Sequence, residues 1–140
     1  MSEENKAIVT RLFEEVWNKG NLAVADEYSS DTLVYHNPLL PEAVKGVEGY
    51  KDLAAAVRAA YPDMHFHVDD VVAEGSKVVS RWTATGTNLG EWRGIAPTGR
   101  KVMFTGMSIV RFEGGKQVEV WATEDDLGWM QQLGVVSLPK

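Results

Sequence analysis

Three consecutive acids, Glu124, Asp125 and Asp126, separate the run VEVWAT from the run LGWMQQLG. A carboxylate closing an apolar strand is a candidate general acid/base, because burial lifts its pKa toward neutrality. Acids at a strand-to-helix junction also make good caps, since they accept backbone N–H groups. Strand alternation divides the candidates. Glu119, Trp121, Thr123 and Asp125 fall on one face, and Val118, Val120, Ala122 and Glu124 on the other. On the preceding strand Thr105, Met107, Ile109 and Arg111 share a face. The face holding Trp121, Met107, Ile109 and Thr105 reads as a mixed pocket wall, or as a core edged by polar groups. Asp126, directly before an apolar helical run, reads as the N-cap and Glu124 as solvated. Asp125 is either the cap itself or an inward acid beside Trp121.

Histidine offers a second chemistry. His65 and His67 lie two apart in a strand pattern, and His36 sits in VYHNP, which reads as a loop. Three histidines and a carboxylate can hold a divalent ion, but no HExxH helix pair or closely spaced acidic ligand accompanies them. Solvent-facing strand histidines are the preferred reading, and no metal is expected. The chain has no cysteine, which excludes thiolate nucleophiles and disulfides. GxSxG, Walker and GxGxxG patterns are absent, and GIAPTG at 94–99 opens no helix. Tryptophans 82, 92, 121 and 129 crowd the second half; several lining one cavity would suit a flat aromatic ligand.

The elements that must position these groups follow from periodicity. Ile8, Leu12, Phe13, Val16 and Trp17 form a helical stripe that Lys19-Gly20 closes. Asn21 can cap a short helix reaching about residue 27. A third helix is predicted over 47–60, with Tyr50, Leu53, Ala54 and Val57 on one side and Pro62 as its stop. The period then becomes two, giving strands at 64–73, 77–87, 101–112 and 117–124. The turns between pairs carry Gly75 and Gly114-Gly115. A final helix spans 127–133 and ends at Gly134. Helices followed by an antiparallel meander read as α+β, in one domain over residues 1–140. The connection 88–100 is long enough for a pocket rim.

A formal net charge of −6 without a basic block argues against nucleic acid and anionic membranes as partners. The acidic, amphipathic start does not read as a signal peptide, and no apolar run approaches the roughly 18 residues of a membrane span. A cytoplasmic location is expected.

The stretch RWTATGTNLGEWRGIAPTGRKVMFTGMSIVRFEGGKQVEVWATEDDLGWMQQLG resembles the SnoaL-like polyketide cyclases, or ester cyclases. These belong to the superfamily of nuclear transport factor two, with the ketosteroid isomerases and limonene epoxide hydrolases. The likeness extends upstream through VYHNP and YPDMHFHVDDVVAEGSKVVSRW, covering nearly the whole chain. It implies a cone, a cystatin-like α+β barrel in which N-terminal helices fill the mouth of a curved antiparallel sheet around a deep apolar pocket. It also implies cofactor-free, metal-free intramolecular aldol chemistry. The acid/base would be the aspartate four residues after the tryptophan of ExW, here Asp125, acting on an apolar polycyclic or aromatic carbonyl compound. Trp121 and Trp129 would wall it, with Met107, Thr105, Trp17 and Trp92 completing the ligand contacts. His36 and Arg111 would donate to the enolate; Arg81 is a further donor or a plain edge ion pair. Asn88 follows Thr87 where many members carry histidine. The alternatives are a related isomerase or epoxide hydrolase, a non-catalytic small-ligand binder, or an association module. A homo-oligomer, a dimer or higher, is expected, with Val110, Val118 and Val120 on the outer face.

Overall fold

The computed structural model describes residues 2–137 and 139. Helix α1, Ser2–Leu12, runs into a π-helical segment, Phe13–Asn18, and a short helix α2, Ala23–Tyr28. Strand β1, Ser29–His36, and the two-residue β2, Val44–Lys45, precede helix α3, Gly46–Ala60. The meander follows as β3, His65–Glu74; β4, Lys77–Thr87; β5, Lys101–Glu113; and β6, Lys116–Glu124. Helix α4, Asp126–Leu133, ends at Gly134, whose φ of 80° is the left-handed cap glycine tolerates.

Six strands form one sheet in the order β2-β1-β6-β5-β4-β3. Every neighbouring pair is antiparallel except β1 with β6. Both β1 and β2 escape the sequence reading, which makes VYHNP a loop. Their partners explain the difference: β1 pairs with β6 some ninety positions later, a non-local contact that local alternation does not register. The α+β reading holds, and the four meander strands lie within a residue or so of their expected bounds. Asn21 does not cap α2 through its side chain; Leu22 occupies the N-cap position, without a side-chain bond.

Burial on β5 alternates without a break. Val102, Phe104, Ser108, Val110 and Phe112 point inward, while Met103, Thr105, Met107 and Ile109 point to solvent. The inward side of β4 carries Val78, Ser80, Trp82 and Ala84. Register places Gly106 opposite Trp82, and the indole lies over it: a Cβ there would sit 2.3 Å from the ring. A glycine facing a tryptophan lets the sheet fold around a large side chain without a steric conflict. A bulge after Arg111 resets β6, so Gln117, Val120 and Ala122 are all buried. Val110 and Val120 therefore belong to the core and not to the outer face.

The helices close the inner side. Val9 and Leu12 from α1, Val16 and Trp17 from the π-helical segment, and Tyr50, Ala54 and Val57 from α3 are buried with the sheet residues. Asn18 ties the helical layer to β3, accepting from Phe66 N at 2.7 Å and donating to Phe66 O at 3.0 Å. Arg58 donates to the carbonyls of Trp17, Pro62 and Met64, so its charge satisfies three backbone acceptors that the chain turns would otherwise leave exposed. The helices are thereby fixed over the sheet and define what lies between. Among the described residues, no helix is long and apolar enough to cross a membrane.

Candidate active site

Between helices and sheet lies a cavity of about 90 Å3, walled mainly by aromatic and aliphatic side chains. Its aromatic wall is a continuous chain of ring contacts. Trp17 meets Tyr50 edge-on and donates to its hydroxyl at 2.8 Å. Phe66, Trp82 and Phe104 follow in T-shaped contacts. Phe104 stacks on Trp129 at 4.1 Å, and Trp129 stacks on Trp92 from the 88–100 loop. Rings held by two neighbours each have little rotational freedom, so the wall is a preformed surface.

Polar groups in the wall are few. Trp82 donates to Ser108 Oγ at 3.1 Å, and Gln117 to Ser29 Oγ at 2.8 Å. Burial raises the pKa of Tyr35 and of Tyr50, keeping both hydroxyls protonated. Glu124 is the only ionisable carboxyl among the described lining residues. It is half-buried at the end of β6, opposite Gly106, and its Oε1 accepts from Asn37 Nδ2 at 2.9 Å. Burial, and then the neighbouring Asp126 carboxyl, push its pKa up to about 7. Asn37 and the charge of Arg93 oppose that rise without cancelling it. A carboxyl poised there exchanges protons in either direction near neutral pH. Among the described residues, no group of three or more His, Cys, Asp or Glu could hold a metal ion.

The sequence-predicted site residues divide. Trp17, Trp92 and Trp129 line the cavity. Asp125 does not: it is exposed, and its Oδ1 accepts from Gly128 N at 2.9 Å as the N-cap of α4. Asp126 is the first residue of that helix and not its cap, and Glu124, read as solvated, is the inward acid. Parity groups Trp121 with Asp125 correctly, but the group faces outward. Trp121 is 37% exposed and Met107 49%, and Thr105 is exposed as well.

His36 and Arg111 are on the outer side too. His36 Nε2 lies 2.7 Å from Glu119 Oε2 and its ring stacks on Trp121. Arg111 reaches Glu113 and Glu119. Neither can donate into the cavity. Arg81 lies 3.9 Å from Asp69, the edge ion pair. The reversal has a physical origin. Trp121, Met107 and Ile109 look like core by composition, but the opposite face pairs large rings with Gly106, Ala84 and Ala122, and only that alternation of sizes lets helices pack. This size pattern was the available signal for Glu124.

Asn88 is fully buried and organises the loop that carries Trp92. Its side chain donates to Gly90 O at 2.8 Å and accepts from Thr98 N and Thr98 Oγ1 at 2.8 and 2.9 Å. Gly90 packs on the backbone of Ala59 and Ala60, leaving no room for a Cβ. At the tip Arg93, with a positive φ of 52°, donates to Leu39 O at 2.8 Å. That bond joins the 88–100 loop to the turn after β1, beside Glu124.

Solved structures with this architecture carry related assignments. A protein from Jannaschia sp. CCS1 assigned as a SnoaL-like polyketide cyclase superposes with a TM-score of 0.89 at 25% identity, covering 97% of this chain and 95% of that one. AclR from Streptomyces galilaeus, assigned as a hydroxylase, gives 0.86 at 28%, covering 100% and 91%. IdmH from Streptomyces antibioticus, assigned as a polyketide cyclase, gives 0.81 at 30%, covering 94% and 99%. A search of curated proteins finds no match. The family model for SnoaL-like polyketide cyclases matches residues 7–133, and the chain belongs to that family.

Proposed function

We propose that the protein is a cofactor-independent acid/base catalyst acting on a small apolar carbonyl compound, with Glu124 as the proton-transfer group. The observation that carries this reading is one carboxyl, lifted to about 7, on the wall of an otherwise apolar cavity. Ionised Glu124 removes a proton from a carbon beside a carbonyl, and the C–H electron pair passes into an enolate. Attack of that enolate on a second carbonyl of the same molecule closes a ring, and protonated Glu124 returns the proton to the new alkoxide. The Tyr35 hydroxyl, kept protonated by burial and lining the same cavity, is the donor assigned to the enolate oxygen. Family membership supports a cyclase or isomerase role, and the hydroxylase assignment of AclR marks how far the reaction varies on this scaffold.

The size of the cavity limits the substrate. A dry cavity of about 150 Å3 holds one benzene ring; at about 90 Å3 this one holds less. An aryl carbonyl compound is larger than this space, so we infer that the wall parts on binding, with the Arg93–Leu39 bond between the two loops as the contact that opens.

Deuterium exchange at the α-carbon of a small aryl 1,3-diketone, followed by NMR, tests the assignment. Glu124→Gln should slow catalysed exchange about 100-fold or more, the usual worth of a positioned acid/base, while Asp125→Asn changes it little. The opposite outcome would return the role to Asp125, as the family resemblance implies. Exchange no faster than in buffer, with a thermal shift on ligand addition, would make the chain a binding protein.

We also infer a homodimer through the outer sheet face, where Val72, Met103, Met107, Ile109 and Trp121 are exposed together. Light scattering should give twice the chain mass, and Trp121→Glu should halve it; a monomeric parent chain refutes the pairing.

A further inference from the structure

Ser108 lies on the cavity wall in the middle of β5 and is only 7% exposed. The bond to its Oγ comes from Trp82 Nε1 at 3.1 Å. An indole N–H donates only, so Ser108 is the acceptor and its own hydroxyl proton is left over. Ser80, its partner in register on β4, does not take that proton, because Ser80 Oγ is buried and has no hydrogen-bond partner. Among the described residues no other group bonds Ser108 Oγ. A hydroxyl that already accepts a bond is a stronger donor, since the two bonds polarise each other. Such a donor in an apolar wall calls for an acceptor.

Its position relative to Glu124 follows from the sheet. Gly106 pairs with Glu124, and Ser108 with Ala122. Ser108 and Glu124 are therefore diagonal neighbours on the inward face, about 7–8 Å apart in an ordinary antiparallel ladder. The other two corners, Gly106 and Ala122, bring no polar side chain. Trp82 stands across from Gly106, and its ring covers that glycine while its N–H holds Ser108. Phe66 and Phe104 hold the same ring edge-on, so the hydroxyl is anchored to a fixed group.

We propose that Ser108 is a second oxygen-binding donor of the site, and that the carbon deprotonated by Glu124 lies between two carbonyls. This deepens the proposed function and rests on its reading of Glu124. Tyr35 holds one carbonyl oxygen and Ser108 the other. When Glu124 takes the proton, the C–H electron pair spreads over both oxygens, and each meets a donor already in place. Ser108 keeps its proton throughout; its part is to hold charge and orient the ligand. The described wall residues include no Lys or Arg, so the ligand class is an uncharged 1,3-dicarbonyl compound and not a carboxylic acid.

Binding tests the assignment without turnover. Calorimetric titrations compare 1-phenylbutane-1,3-dione with butylbenzene, which has the same carbon skeleton and no oxygen. The parent chain should bind the dione more tightly. Ser108→Ala should weaken the dione about tenfold, the worth of one hydrogen bond, and leave butylbenzene unchanged. Loss of the Trp82 bond also weakens the fold, but that effect falls on both ligands alike. Equal weakening of both would make Ser108 a packing residue, and unchanged dione affinity would remove it from the site; either overturns the proposal. So does a parent chain that binds the dione no better than butylbenzene. If Ser108→Ala does not fold, Ser108→Cys puts a weak donor in the same space. It should give the same selective loss in smaller measure, and full retention overturns the assignment. E124Q leaves both oxygen donors in place, so the dione preference should persist in it. An exchange effect of E124Q without this selectivity sinks Ser108 alone; selectivity without that effect sinks Glu124.

Discussion

The two faces of strands β5 and β6 carry similar residue types and serve opposite ends. Inward lie Phe104, Val110, Val120 and Glu124; outward lie Met107, Ile109, Trp121 and Asp125. Each side presents aromatic and aliphatic groups along the strand and an acid at its end. Hydrophobicity therefore does not tell them apart. Size does, because only the inner face alternates rings with Gly106 and Ala122, leaving room for the helices and a cavity. The acids follow the same division: Glu124 is pressed into a low-dielectric wall, whereas Asp125 meets solvent and a helix end.

Substitutions on matched positions test the contrast most strongly. Phe104→Ala removes a ring stacked on Trp129 and should cost about 3–5 kcal/mol in urea unfolding, whereas Trp121→Ala should cost about 1 kcal/mol or less. The comparison is made at concentrations where the chain is monomeric; equal costs there would place Trp121 in the core of the single chain. Next is Asn88→Ala, which removes a fully buried side chain and its bonds to Gly90 O, Thr98 N and Thr98 Oγ1, and should cost about 2–3 kcal/mol. The same change should loosen Trp92, read as a blue-to-red shift or quenching change in its fluorescence; no change in either would detach the loop from the cavity.

The acids separate by a smaller amount. Asp125→Ala loses the cap of α4 and should cost about 1 kcal/mol with no dependence on the cavity ligand. Glu124 instead controls pH dependence. Its folded pKa, about 7, exceeds the ordinary 4.5, so the folded state binds more protons than the unfolded state between those values. Stability contributed by the protonated form is present below about 4.5 and lost as pH rises through about 7. Melting temperature should fall across that window in the parent chain and fall less in Glu124→Gln. A rise, or the same fall in both, would place Glu124 in solvent with Asp125.

Local pattern carried much of the architecture into view. The stripe of Leu12, Phe13, Val16 and Trp17, the strand alternation, and the glycine turns each depend on neighbours within a few residues, so helices and meander strands can be read directly. Strand β1 could not, because its alternation is short and its partner distant. Trp17 was legible from the first helical stripe, whereas Trp92 and Trp129 were candidates by residue type alone, as was Trp121, which faces outward. The face of the acids was not legible, since parity fixes which residues go together but not which group turns inward. Asn88 looked like a lost functional histidine, and its three hydrogen bonds make it a structural tie for the loop.

Sequence alone determined the element types, the α+β class and the grouping of residues by face, because backbone geometry imposes periods of 3.6 and two on any chain. Tertiary structure alone decided that Glu124 lines the cavity while Asp125 caps a helix. That choice depends on how volumes fit across β4, β5 and β6, where Trp82 lies over Gly106. It depends also on Asn37, which reaches Glu124 from a turn that local sequence does not place beside it.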